Sequence, residues 1–465
     1  MAVEMGEQVP AKVTWPQWIA GIGVSLLLAQ FGFMGGWSSP YIADLTSENS
    51  SFTLSTAELS WVISLLNLGR LFGAFTGALC VNYFGSKTTL LIISVPIALC
   101  WLFVIVADNV WWLYMSRSFG GLSLGMVYSS FPLYLAEMAD PSIRGALVSL
   151  SMTGIPAGSF VMCTMGPYLS MTASSAICLV PCLAVMILFV MLPESPHHLI
   201  KTKQDQKAKA SIRWYHRDCD VEQEFQSLKK FVDNCTSQRF VESLTEFKQP
   251  CYVKSLLLVI VLVSYGQMCG INNVMFYMET ILKDAEVTVI NPAVVVIIVM
   301  VTGIVGCGVS TILVDRCGRK VLMILSCIGL AVALGCLTIV FQLLSFDVHS
   351  KALEGLSIFA MMFLNIAVFV GVLTVPPAII GELFPPHLKC IAACFGSCVA
   401  GITSFISTIT YLPLLELMTN RFVYLFYGLL LLTGVPFVTF CVPETKGLSL
   451  QEIQRRLMKL MGPRI

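Results

Sequence analysis

Twelve apolar runs, most about 20 or more residues long, decide most of what this chain can become. They fall at about 16–40, 58–81, 88–107, 110–135, 146–168, 174–192, 254–279, 291–314, 320–344, 354–380, 390–415 and 421–442. A helix of roughly 20 residues matches the ~30 Å hydrocarbon core of a bilayer. Backbone amides find no water there, so such runs close their hydrogen bonds internally as helices. The expectation is an all-α membrane protein with twelve transmembrane helices and the lipid bilayer as its partner. Composition agrees. Of the residues, 56% are hydrophobic and only 12% charged, against about 25% charged in soluble domains. A nucleic-acid binder is excluded, and the net charge of +1 points to no other partner.

The 17 cysteines are scattered, mostly within the runs (Cys80, Cys163, Cys307, Cys398). They read as small apolar residues rather than as a disulfide framework. No metal-ligand spacing appears, and neither metal nor cofactor is expected. The start, MAVEMGEQVPAK, lacks a cleavable leader pattern. With that end threaded inside, outer loops hold only Lys283, Lys351 and Arg421, and Arg70 and Arg117 fall within spans. All other Lys and Arg fall inside, as the positive-inside rule requires, which puts both termini in the cytosol. The sequon at Asn49 then lies in the first outer loop as a glycosylation site; that at Asn234 faces the cytosol.

A polar stretch at 194–253 divides the spans six and six. Short motifs recur across it in order. NYFGSK at 82–87 matches DRCGRK at 315–320, AEMADPSIRGA at 136–146 matches GELFPPHLKCI at 381–391, and PESP at 193 matches PETK at 443. Each sits at the same end of corresponding spans, which indicates a duplicated six-helix unit. The divisions are 1–193 and 254–442 for the two halves, 194–253 for a partly helical cytosolic linker and 443–465 for a cytosolic tail. Two repeats around a central site make a transporter architecture.

Together with SRSFGGLSLG in span 4, QMCGIN in span 7 and VPETKGLSLQEI at the tail, these motifs resemble the sugar porters of the major facilitator superfamily along nearly the whole chain. WSSP at 37–40 resembles the insect branch that includes facilitated trehalose transporters. The resemblance implies the major facilitator fold in a plasma membrane, one small-molecule sugar as substrate, and function as a monomer. It implies sugar contacts at Gln267 and Asn272; Asn273, Pro376 and Gln30 are further candidates for the same site. It also implies charges that bridge the halves when the inside is closed: Glu137, Arg144, Glu194, Asp315, Arg316, Arg319, Glu382 and Glu444, with Arg117 in span 4.

The amide chemistry fits a sugar, because an amide donates and accepts at once and so matches a ring of hydroxyls. Geometry alone leaves a second reading open, since amides between membrane helices also join helix to helix. Gln267 and Asn272 lie about 140° apart on an ideal helix. They converge only if the helix loosens at Gly266 or Gly270.

Other family positions differ. Met152 replaces an amide in span 5, Gly266 replaces the first span 7 amide, Pro377 replaces an aromatic wall residue, and Ser86 and His197 stand where the family has Arg. Span 1 has no acid near Arg117 to carry a proton. The reading is therefore facilitative uniport of trehalose or a hexose by alternating access, and not an enzyme. The alternatives are a non-transporting sugar receptor and a proton-coupled symporter. Arg70 has no assigned role.

Overall fold

The computed structural model describes residues 14–45, 54–140, 143–217, 219–236, 246–444, 446, 452–453 and 455–456. Asn49 lies outside them. The first half is built from α1 (Trp15–Leu45), α2 (Thr56–Phe84), α3 (Ser86–Ile105), α4 (Val110–Met138), α5 (Arg144–Met165) and α6 (Met171–Met191). Three short helices follow, α7 (Pro196–Lys201), α8 (Asp205–Tyr215) and α9 (Val221–Thr236). In the second half, span 7 is broken into α10 (Pro250–Met268), α11 (Ile271–Phe276) and α12 (Met278–Asp284). Then come α13 (Pro292–Cys317), α14 (Arg319–Leu344), and a tenth span made of α15 (Lys351–Ala367), a wide turn at Val368–Val372 and α16 (Val375–Leu383). Last is α17 (Pro386–Cys441).

Among the described residues, ten stretches are long and apolar enough to cross a bilayer by length and composition. The last of them, Ile391–Cys441, has 51 residues. At 1.5 Å per residue that is far more than one crossing needs. Thr419, with φ 62°, folds it into two spans. Adding α4, whose Arg117 and serines lower its hydropathy, gives the twelve crossings of the major facilitator fold.

The chemistry of the helix ends differs between the two faces. Five spans that start at the face away from the repeated motifs carry their own caps. Ser55, Asn109, Ser170, Asn291 and Ser350 each accept from a backbone N–H two or three residues on, at 3.0–3.3 Å. Such a bond satisfies an amide that the first turn leaves orphaned. At the motif face, α3 and α14 start after a glycine and are capped from a distance. Glu194 accepts from the N–H groups of Lys87 and Thr88 (3.1 and 2.9 Å), and Glu444 from those of Arg319 and Lys320 (3.1 and 3.3 Å). The preceding glycines, Gly85 and Gly318, have matching φ of 91° and 89°. The duplication read from the sequence is thus repeated in backbone conformation.

Within each half, small residues let helices touch. Gly73 on α2 and Gly121 on α4 each face backbone of the other helix so closely that a Cβ would collide with it, the close approach that drives association where lipid is as apolar as the side chains. Helix α8 docks beneath the first half. Gln17 donates to the Tyr215 carbonyl (3.0 Å), and the Tyr134 and Tyr215 hydroxyls are bonded at 3.0 Å. At the face opposite the motifs the halves are joined by hydrogen bonds: the Glu279 N–H donates to Ser39 (3.1 Å), Ser60 to the Ile409 carbonyl (3.2 Å), and Asn67 to Thr408 (3.4 Å). Further along, α2 and α17 pack through Ala74, Cys394 and Cys398.

Candidate functional site

A cavity of about 260 Å³ lies between the halves, on the motif side of the membrane mid-depth. Spans 2 and 4 line it from the first half, and spans 7, 10 and 11 from the second. Its walls are mostly apolar, which suits the carbon faces of a sugar, while a few polar groups fix orientation.

Gln267 lines this cavity. The break that would let it meet Asn272 is present. Gly270 is left-handed (φ 75°), and a side chain there would also strike the Tyr427 ring. Only glycine meets both demands. The turn brings Asn272 back beside Gln267, donating to its Oε1 at 2.8 Å and to Ser404 at 2.7 Å. Asn272 stays half-buried. Its carbonyl and the Gln267 amide N–H groups make no hydrogen bond among the described residues. Ser404 escaped the sequence reading because a serine in an apolar span carries no signal by itself.

Asn273 is a correction. It is fully buried, and its amide donates to the Ser407 carbonyl (3.1 Å), the Ser407 hydroxyl (3.2 Å) and Tyr427 (3.2 Å). It joins the segments of spans 7, 11 and 12 and does not reach the cavity. The reason is helical: one residue turns the side chain by about 100°. Gln30 is also corrected. It is fully buried within the first half, donating to the Cys178 carbonyl (3.4 Å) and accepting from Trp101 (2.8 Å). Both ends of its amide are satisfied there. Pro376 and Pro377 line the cavity at the start of α16.

The motif-face charges have these partners within their own halves. Ser86 donates to Glu137 at 2.5 Å, and Arg319 binds Glu382 at 2.9 Å. Glu194 and Glu444 serve as the helix caps described above. Arg316 accepts at its carbonyl from Lys446 (2.7 Å), and Asp315 lies on the last turn of α13. Arg144 donates to the Ala139 carbonyl (3.2 Å). Across the seam it faces Lys389, whose ammonium is shifted downward first by burial and then by Arg144. Arg144 and Lys389, one from each half, therefore oppose each other, with Glu382 as the opposite charge near Lys389. His197 is held down to about 4 by burial first and by Arg144 second.

Arg117 also belongs to one half. It donates to the Met34 carbonyl (2.9 Å) and to Ser38 (3.3 Å), with its guanidinium 4.2 Å over the Trp37 ring. All three partners are on α1 and all are neutral, so Arg117 fastens α4 to α1. Among the described residues no three His, Cys, Asp or Glu side chains gather in the manner of a metal site, and the described cysteines are free thiols.

Residues 19–457 match the family described as "Sugar (and other) transporter". The chain is 28% identical over 451 residues to a facilitated trehalose transporter Tret1 of Polypedilum vanderplanki, covering 96% of this chain and 88% of that one. It is also 28% identical to the Tret1 of Drosophila grimshawi, of which it spans 48%; it covers about half the length of several such curated relatives. Among solved structures, it superposes on the proton:xylose symporter XylE bound to 6-bromo-6-deoxy-D-glucose with a TM-score of 0.77, at 21% identity, over 95% of this chain and 99% of that one. The inward-open xylose transporter XylE from E. coli gives 0.76 at 20% identity, with the same coverage.

Proposed function

That the chain belongs to the sugar (and other) transporter family is the premise from which we propose its function: facilitative transport of a sugar, trehalose or a hexose, across a plasma membrane by alternating access. The observation that carries this reading is the Gln267–Asn272 pair at a broken helix beside an inter-half cavity. Relatives named as facilitated trehalose transporters support the substrate class, and their names are those of carriers, not enzymes.

The geometry suits one stage of the cycle. With the motif face taken as cytosolic and both termini inside, the outer face is held by Ser39–Glu279 and its neighbours. The inner face presents like charges and a cavity. That is the inward-facing arrangement. Outward opening would break the Ser39–Glu279 bond and bring the cytosolic charges of the two halves together, where Glu137, Glu382, Arg144 and Lys389 supply both signs. Sugar binds through amide hydrogen bonds that water also makes, so binding stays weak enough to release it on either side. One chain contains the whole route, so the monomer is the functional unit.

Uniport is favoured over proton symport because Arg117 is held by a carbonyl, a hydroxyl and a ring. None of these titrates to carry a proton. The test is uptake into proteoliposomes with labelled trehalose, glucose and xylose. Saturable uptake that persists after a protonophore is the expected result. No uptake of any sugar would favour the receptor reading, and collapse on uncoupling would favour symport. Asn272→Ala loses one or two neutral hydrogen bonds of about 0.5–1.5 kcal/mol. Apparent affinity should drop roughly three- to tenfold, while Asn273→Ala should lower thermal stability and leave affinity unchanged.

A further inference from the structure

Arg70 stands at the middle of α2, the depth where an uncompensated charge is most costly. It lines the cavity. Its Nε donates weakly to Ser397 of the other half (3.4 Å), and its guanidinium lies 4.6 Å from the Tyr128 ring centroid. Both partners are neutral. No carboxylate among the described residues pairs with it, and its two terminal nitrogens make no hydrogen bond there. The other cation of the lining, Lys389, lies at the motif-face end of the cavity, with Arg144 and Glu382 as its charged neighbours. No acid is found among the described lining residues. At mid-span the cavity thus holds a positive charge with no acid beside it among the described residues, on the side chain whose planar fork fits a carboxylate. A carrier for neutral sugars alone gains nothing from that expense.

We propose that Arg70 is an anion-binding residue of the transport cavity, and that the preferred ligand is a hydroxylated monocarboxylate, a sugar acid, held by its carboxylate at Arg70 and by its hydroxyls at Gln267 and Asn272. The proposal rests on the cavity being the transport site. The single guanidinium at mid-span matches the one negative charge of a carboxylate; a phosphate brings about −1.5 to −2 at neutral pH and would draw on Lys389 as well. Tyr128 and Ser397 keep the fork from swinging out of the cavity, leaving its outer edge to the ligand. Because Ser397 belongs to the second half and Arg70 to the first, a bound carboxylate would also touch both sides of the moving seam.

The test compares D-glucuronate with D-glucuronamide, the same size and shape without the charge, and with D-glucose and glucose 6-phosphate. Affinities are read by thermal shift and by competition on the purified full-length protein. A charge-assisted bond exceeds a neutral one enough for roughly a tenfold preference for glucuronate over glucuronamide. Arg70→Gln should erase that preference. Arg70→Lys should keep part of it, having the charge without the fork. Equal binding of glucuronate and glucuronamide to the unaltered protein overturns the proposal, and needs no variant to fold. A preference that survives Arg70→Gln overturns it as well, and glucose 6-phosphate binding tighter than glucuronate overturns the carboxylate assignment. If neutral sugars are taken up and glucuronate shows no preference, this inference fails and the transport reading stands. If glucuronate binds with preference and no neutral sugar is taken up, the reverse holds.

Discussion

The two motif-face clusters are built on one backbone plan and run on different electrostatics. In both, a glycine of φ near 90° ends one span and an acid from far along the chain, Glu194 or Glu444, caps the next. In both, a second acid closes the arrangement. In the second half that acid, Glu382, meets the Arg319 guanidinium; in the first, Glu137 accepts from the Ser86 hydroxyl. The first half also buries His197, where the second-half motif has Gly447 in sequence. Duplication preserved the hydrogen-bond frame that starts each helix, whereas the charges mounted on it were free to diverge. The frame is therefore structural, and the charges are where the two halves have taken separate roles.

The largest expected effect exploits His197. Its folded pKa, about 4, lies below the ordinary 6.5. The unfolded chain therefore binds the proton first, and stability present above about pH 6.5 is lost as pH falls toward about 4. The loss reaches about 3 kcal/mol, and His198, also shifted downward, adds in the same direction. Melting curves of purified protein at pH 7.5 and 4.5 should separate, and His197→Gln should close most of the gap. A gap that survives the substitution would place the pH sensitivity outside the first-half cluster.

Next is the ion pair. Arg319→Ala removes the guanidinium bonded to Glu382 in a partly buried site and should cost about 2.5 kcal/mol of stability. The matching change in the first half, Ser86→Ala, should cost about 1.5 kcal/mol, since only one charged partner is involved. Equal losses would mean that the hydroxyl holds its acid as firmly as the guanidinium, and the contrast between the halves would vanish. The smallest effect tests the shared frame. Glu194→Gln and Glu444→Gln each weaken a cap by about 1 kcal/mol. The two melting shifts should agree; a clear inequality would show that the caps have diverged as well.

The twelve spans and the duplication were legible because both are written in pattern. Apolar runs have a length, and repeated motifs have an order. The break at span 7 was legible too, from Gly270 between two amides. Which way a polar side chain faces was not. Gln30 and Asn273 are amides in apolar helices like Gln267, yet they face helix interiors, since one residue of helix turns a side chain by about 100°. Glu194 and Glu444 stood in sequence among other charges, and nothing there revealed that their partners are backbone amides more than a hundred residues away. Arg70 was visible as an oddity, a charge within a span. Its place in the cavity depends on Tyr128 and Ser397, which no local pattern links to it.

Gly270 has one further consequence. Beyond it, span 7 continues only as helices of six and seven residues. Helices that short do not hold by themselves; these persist because α1 and α17 press on them. The outer third of this span is thus the least self-sufficient backbone near the ligand. Its amides should trade hydrogen for deuterium well before those of α10. When the outer face opens and α1 withdraws, that segment loses its support and can soften without unfolding its neighbours, giving the carrier a local give at the point where a substrate must pass.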